Sequence, residues 1–258
     1  MFKSRQGKIF VSLLAVSMAQ TVFVYLISLP LLGWFLSMTA LFLFVRSQLV
    51  SKKPSDVLLK MLRMGLWVSL TFLYMDTLIR IFGYNLGYFL PGLIIGAIGL
   101  GVLAWHELST ERKQVVEHAI TLVLVWLSLS WTGIGLAYYH WPVMVTLAFV
   151  WLGQFLIALW WAASQGERAE FFAAVWAVVV VEIVWVGSRW LSLYQLPKLG
   201  IILSQSSVLA ISMGYSLGGL YYHRQNKKLT KPLVFEYFAI TAIVFVLVII
   251  LTKWSNTQ

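Results

Sequence analysis

LVFEYFAITAIVFVLVIILT, residues 233–252, carries one charge in twenty positions. A helix of that length rises about 30 Å, the thickness of the hydrocarbon core of a bilayer. A buried helix of a water-soluble protein keeps a polar stripe towards solvent, and this segment has no such stripe. The run Leu93–Trp105 reads the same way. The whole chain agrees: of its 258 residues 60% are hydrophobic and 11% charged, against about 45–50% and about 25% in a soluble domain. Mean hydropathy is +0.86. These figures exclude a soluble enzyme, a disordered chain and a fibre. The absence of cysteine excludes a disulfide scaffold and a Cys-ligated metal. The chain reads as an all-α, polytopic transmembrane bundle.

Nine stretches are long and apolar enough to span, at roughly 9–28, 30–45, 64–83, 88–105, 119–139, 142–163, 171–189, 197–222 and 233–252. The prolines support this division. Pro30, Pro54, Pro91, Pro142, Pro197 and Pro232 all fall at junctions. In the first helical turn proline loses no intrahelical hydrogen bond. So Pro30, Pro91, Pro142, Pro197 and Pro232 are expected to open the second, fourth, sixth, eighth and ninth spans. Residues 1–258 form a single integral membrane domain, with halves at 1–113 and 114–228 and an extra helix at 229–258.

Basic residues set the expected orientation. Lys3, Arg5 and Lys8 precede the first span. Arg46, Lys52, Lys53, Lys60 and Arg63 lie between the second and third, and Arg112, Lys113 and Arg168 in later loops of the same side. Arg224, Lys227, Lys228 and Lys231 precede the ninth. Fifteen of the 19 basic residues thus fall on one side, against Arg80, Arg189, Lys198 and Lys253 on the other. The N-terminus is expected in the cytoplasm and the C-terminus outside, in the plasma membrane. The net charge of +10 then reflects topology and attraction to anionic headgroups. No basic segment is longer than a loop, so no nucleic-acid partner is expected. Lys3-Ser4-Arg5, Ile9–Val16 and Ser17-Met18-Ala19 have the layout of a signal peptide. The apolar run continues through Thr21–Leu29, however, and the segment is read as a retained span.

One local match suggests duplication. Tyr88-Phe89-Leu90-Pro91-Gly92-Leu93 and Tyr194-Gln195-Leu196-Pro197-Lys198-Leu199 share Y-x-L-P-x-L at an offset of 106 residues. Asp76 and Glu182, the only carboxylates in the expected spans apart from Glu236 at the loop end of the ninth, stand at the same offset, as do Leu103-Ala104 and Leu209-Ala210. A 4 + 4 parallel repeat followed by a ninth helix accounts for this, and repeat interfaces are where transporters place substrate sites. Coincidence in a Leu-rich chain is the competing explanation.

Carboxylates in spans are costly and mark candidate sites. Asp76 lies about 12 Å below the outer end of its span and Glu182 about 10 Å. Asp76 and Arg80 are i, i+4 neighbours, and Arg189 stands two turns beyond Glu182. An Asp76–Arg80 pair satisfied within its own helix competes with a shared polar pocket of Asp76, Arg80, Glu182 and Arg189. Tyr84, Asn85, Tyr138, His140, Tyr194 and Gln195 would line its mouth. Glu182 is expected to take Arg80, Arg189 or His140 as partner, or to stay protonated.

Gln20, Gln154 and Gln205 read as interhelical hydrogen-bonding groups. Gly92-x-x-x-Gly96 and Gly214-x-x-x-Gly218 read as helix-packing motifs. Trp126, Trp151 and Trp176 read as core, whereas Trp34, Trp105, Trp141, Trp190 and Trp254 form a boundary belt. His106 and His118, beside Glu107, Glu111 and Glu117, read as a solvated loop. No metal or cofactor is expected: no tight ligand spacing, nucleophile elbow, zinc-protease or phosphate-loop motif occurs.

Three functional readings follow. The first is a small transporter or ion-coupled carrier with a polar site in the outer half of the membrane. The second is a non-catalytic sensor, anchor or assembly subunit working with a membrane partner or as a homo-oligomer. The third is an outer-leaflet lipid-modifying enzyme in which the arginines hold phosphate. The absence of a catalytic motif leans the chain away from catalysis.

Overall fold

A computed structural model describes residues 113–163, 169–190, 193–196, 201–225 and 227–251, together with 65, 66, 69–71, 73, 74 and 76–81. The expected first, second and fourth spans lie outside the described residues, as do Tyr84, Asn85, Gly92, Gly96 and the first copy of the Y-x-L-P-x-L match. The chain divides into two compact units, residues 1–116 with 196–201, and residues 117–195 with 202–258.

In the first unit every described position of 65–81 is helical. It buries Thr71, Tyr74, Thr77, Leu78 and Ile79, and the Thr77 hydroxyl donates to the Leu73 carbonyl at 2.7 Å.

The second unit is built on five helices: α1 (Lys113–Tyr138), α2 (Val143–Ala163), α3 (Ala169–Gly187), α4 (Gln205–Gln225) and α5 (Lys231–Leu251). Among the described residues, four helical segments are long and apolar enough to cross a membrane: Glu117–Tyr138 of α1, and α2, α3 and α5. The protein is a helical membrane protein. Its exposed surface says the same: Phe235, Phe238 and Ile250 are each about 70% exposed on α5. In water such a surface would aggregate, whereas lipid tails match it.

Helix α1 is the most buried of the four membrane-length segments. Of its span 67% is buried, against 6% for α5, and Leu124, Leu127, Leu129 and Ile134 are wholly covered. Helices α2 and α3 pack most extensively on one another, α4 packs on α5, and α3 also meets α4. Alongside its apolar residues α1 buries Thr121, Ser128, Ser130 and Thr132. Hydrocarbon offers no water to these hydroxyls, so each needs a partner within the protein. Thr121, Ser128 and Thr132 donate to carbonyls of their own helix at 2.7–3.1 Å. The fully buried Gln154 of α2 donates from Nε2 to Ser128 Oγ at 2.6 Å and accepts from Trp176 Nε1 of α3 at 3.0 Å. One amide therefore joins three helices.

The connection from α1 to α2 turns at His140, whose φ of 49° is left-handed. The amides of Tyr139 and Trp141 both donate to the Gly135 carbonyl at 3.2 Å. The Trp141 ring lies directly against Gly135, where a Cβ would collide with it, and meets Trp131 edge-on at 4.9 Å. Pro142 immediately precedes α2, and Pro232 sits in the first turn of α5. Trp151, expected in the core, is 42% exposed and stacks on Phe155 at 5.3 Å. The core positions of α2 are Thr146, Val150, Gln154 and Ile157, and Trp151 falls one residue off that row.

The segment 197–222, expected as a single helix opened by Pro197, is not one. A 3-10 turn (Ser188–Trp190) ends α3, strands β1 (Leu193–Leu196) and β2 (Ile201–Ser204) pair, and α4 starts only at Gln205. The physical reason lies at Ser204. Its Oγ accepts from the Ser207 amide at 3.1 Å, an N-cap that starts a helix at that point. The same hydroxyl lies 3.1 Å from the Leu129 carbonyl of α1, to which it donates. Gly133 permits this approach, since a Cβ there would stand 2.7 Å from that of Ser204. Ser130 Oγ reaches Ser207 Oγ at 3.5 Å. Ser130 is eight residues, about 12 Å, from the Tyr138 end of α1, so α4 begins inside the bundle. Helix α4 is closed against α5 by Ser216, which donates to the Tyr237 carbonyl at 3.0 Å and shares a 2.7 Å hydrogen bond with Thr241.

The Gln154 bridge should be measurable as coupling. Gln154→Leu and Trp176→Phe are each expected to lower stability in detergent micelles. The double variant should lose less than their sum by about 0.6–1.7 kcal/mol, the range for hydrogen bonds between membrane helices. Strict additivity would show that the bridge contributes nothing.

Candidate functional site

The charged residues singled out by the sequence fall in different settings. Arg80 Nε donates to Asp76 Oδ2 at 2.7 Å, one turn apart on one helix, with Arg80 55% and Asp76 22% exposed. The aspartate charge is thus neutralised within its own helix, and the arginine carries it towards the surface. Asp76 and Arg80 belong to the first unit, Glu182 and Arg189 to the second.

Glu182 is exposed, and it makes no hydrogen bond or ion pair among the described residues. The reason for its direction is helical phase. The buried face of α3 is Ala173, Trp176, Ala177, Val180 and Val184. Two residues beyond Val180 is a rotation of about 200°, so Glu182 points away from the bundle. Arg189 is exposed in the 3-10 turn and is likewise unpaired among the described residues. His140, offered by the sequence as a partner for Glu182, is the exposed pivot of the α1–α2 turn. Tyr138 is 41% exposed at the end of α1. Tyr194 lies in β1 with its hydroxyl buried and unpartnered. Gln195 is also in β1, with its side chain outside the described set.

A second candidate was read by sequence as a solvated loop. His118 and Glu117 instead lie in α1, which starts at Lys113, and Glu117 is 2% exposed. Nothing in the apolar run beginning at Ala119 extends the span backwards. What extends it is the opposite wall: Gly218 of α4 has no Cβ, and the His118 ring occupies that place. Trp161 of α2 covers the ring at a centroid distance of 6.0 Å and itself packs on Phe172 at 5.3 Å and Tyr221 at 5.5 Å. Gly214, one turn before Gly218, meets Leu122 and Trp176 in the same way. The only advance signal was the spacing of these two glycines.

These groups border a half-open cavity of about 30 Å³ lined by His118, Thr121, Trp161, Phe172 and Trp176. Both imidazole nitrogens are buried without a hydrogen-bond partner, although the Tyr215 carbonyl faces the ring. Neutral imidazole supplies one donor and one acceptor. The volume suits a water-sized guest and is far below that of an organic ligand site. Among the described residues no three His, Asp or Glu side chains converge to hold a metal.

Gly218→Ala is expected to displace the His118 ring and cost about 1–3 kcal/mol, the usual range for overpacking. His118→Ala in that background should restore stability in a detergent melt, and an unchanged loss would refute the contact. At the turn, His140→Val should cost about 1–2 kcal/mol by its left-handed φ while His140→Gly should not, as thermal unfolding of the two variants would report.

Comparison with known proteins finds no match to this chain, whether family model, curated protein or solved structure.

Proposed function

We propose that the protein is a non-catalytic subunit of a membrane assembly, docking laterally to another membrane protein through the outward face of α3. The observation that carries this reading is Glu182, an unpartnered carboxylate pointing away from its own bundle within an apolar span. Such a group is too costly to leave against lipid and is ordinarily met by a partner. The finer topology belongs to the same proposal. The nine apolar stretches support nine spans, and the basic loops support a cytoplasmic N-terminus and an outside C-terminus in the plasma membrane. The 4 + 4 repeat rests on the Y-x-L-P-x-L match and on Asp76 and Glu182 and the two Leu-Ala pairs at the same offset.

A second reading, an ion-coupled carrier, is favoured by His118. Its unpartnered nitrogens lie beside a water-sized cavity inside a span, which suits a proton-exchanging group.

The test is the size of the native assembly. Extracted from its own membrane in mild detergent, the full chain should migrate on a native gel within a larger complex. Glu182→Gln should release it, and Val246→Ala on the exposed face of α5 should not. A complex unaffected by Glu182→Gln would refute the docking face. For the carrier reading, vesicles carrying the protein should conduct protons in a pH-jump assay, and His118→Gln should stop them.

A further inference from the structure

The outward face of α3 carries more information than one charge. Phe171, Val175, Val178, Glu182 and Trp185 of α3 are all exposed, at successive spacings of four and three, and Arg189 is exposed in the 3-10 turn that follows. That is the heptad seam along which two helices pack side by side. Exposed faces commonly recur at this spacing, so the charges are what distinguish this one. The comparable faces of α2 (Met144, Val145, Phe149, Leu152) and of α5 from Phe238 onward are wholly apolar, as lipid contact requires.

Glu182 lies five residues, about 7.5 Å, from the Gly187 end of α3. Its two-methylene side chain is too short to reach the headgroups as Lys and Arg do. Arg189 stands seven residues, about 10 Å, further along and makes no ion pair with it. An ionised carboxylate there is met sideways.

Resting on the docking role proposed above, we infer that the α3 seam receives a transmembrane helix of a different polypeptide that presents Lys or Arg at the depth of Glu182. A second copy of this chain fits poorly. Two copies related by an axis along the membrane normal meet residue against like residue at equal depth. Glu182 would then face Glu182, and like charges that close disfavour ionisation of one. A basic partner removes both difficulties, because the two charges satisfy each other where neither alone is tolerated. Arg189, one heptad along, calls for an acidic or polar group at the partner's helix end.

The test uses full-length protein in phosphatidylcholine vesicles with model Leu/Ala transmembrane peptides bearing a single Arg, Leu or Glu at the matching depth. Association is read by energy transfer between labelled chain and peptide. The Arg peptide is expected to bind about tenfold more tightly than the Leu peptide, the order of a strong interhelical hydrogen bond. The Glu peptide should bind no better than Leu, and Glu182→Gln should erase the Arg preference. Equal binding of Arg and Leu peptides, or a preference that survives Glu182→Gln, overturns the inference. A photo-crosslinker at Val178 in the native membrane separates the two levels. Adducts to a different polypeptide without any Arg preference uphold the docking role and refute the basic partner. Adducts only to a second copy, only within the chain, or to no protein refute both.

Discussion

The amide of Gln154, held between Ser128 of α1 and Trp176 of α3, is the point on which the described bundle depends. Apolar side chains cannot specify how membrane helices meet, because lipid is as good a neighbour as leucine. Polar groups can, because each has few partners and no water to fall back on. Thr121, Ser128 and Thr132 find carbonyls of α1 itself, and Ser130 meets Ser207 of α4. Ser204 reaches across to the Leu129 carbonyl. The bonds with Gln154, Ser207 and Ser204 cross between elements and so fix how α1 faces its neighbours.

Close approach makes those bonds attainable. Gly133, Gly214 and Gly218 mark where a neighbouring side chain occupies the space a Cβ would need. Gly133 admits the cap of α4, so a strand pair and a helix start replace one continuous span. Gly218 admits the His118 ring, which lengthens α1 and borders the small cavity. The polar network and the small residues act together: without the glycines the serines stand too far apart, and without the serines nothing selects this packing over a shifted one.

Helix α3 shows how a structural constraint passes into function. Trp176 is committed to Gln154, and the rotation of α3 about its own axis is thereby set. Glu182, six residues on, must then face outward. A carboxylate inside a span needs an answer from somewhere, and the described bundle does not supply one. Asp76 is the contrasting case, since its arginine sits one turn away on the same helix.

The membrane class, the expected spans over α1, α2, α3 and α5, and the costliness of Asp76 and Glu182 were legible in the sequence. Hydropathy and charge are properties of segments, and the bilayer reads them segment by segment. Gln154 was legible as an interhelical group because an amide in hydrocarbon has few other uses. The hairpin before α4 was not legible, because Ile201–Ser204 is as apolar as a helix would be and only contact with α1 through Gly133 distinguishes the two. The place of His118 inside α1 was not legible either, because its shelter is Gly218, one hundred positions away in the chain. By itself, then, the sequence determined that the chain enters a membrane and which acids stand deep in its apolar stretches. Only the tertiary structure decided which way Glu182 points, because that direction is set by the helix phase that the Gln154–Trp176 bond imposes.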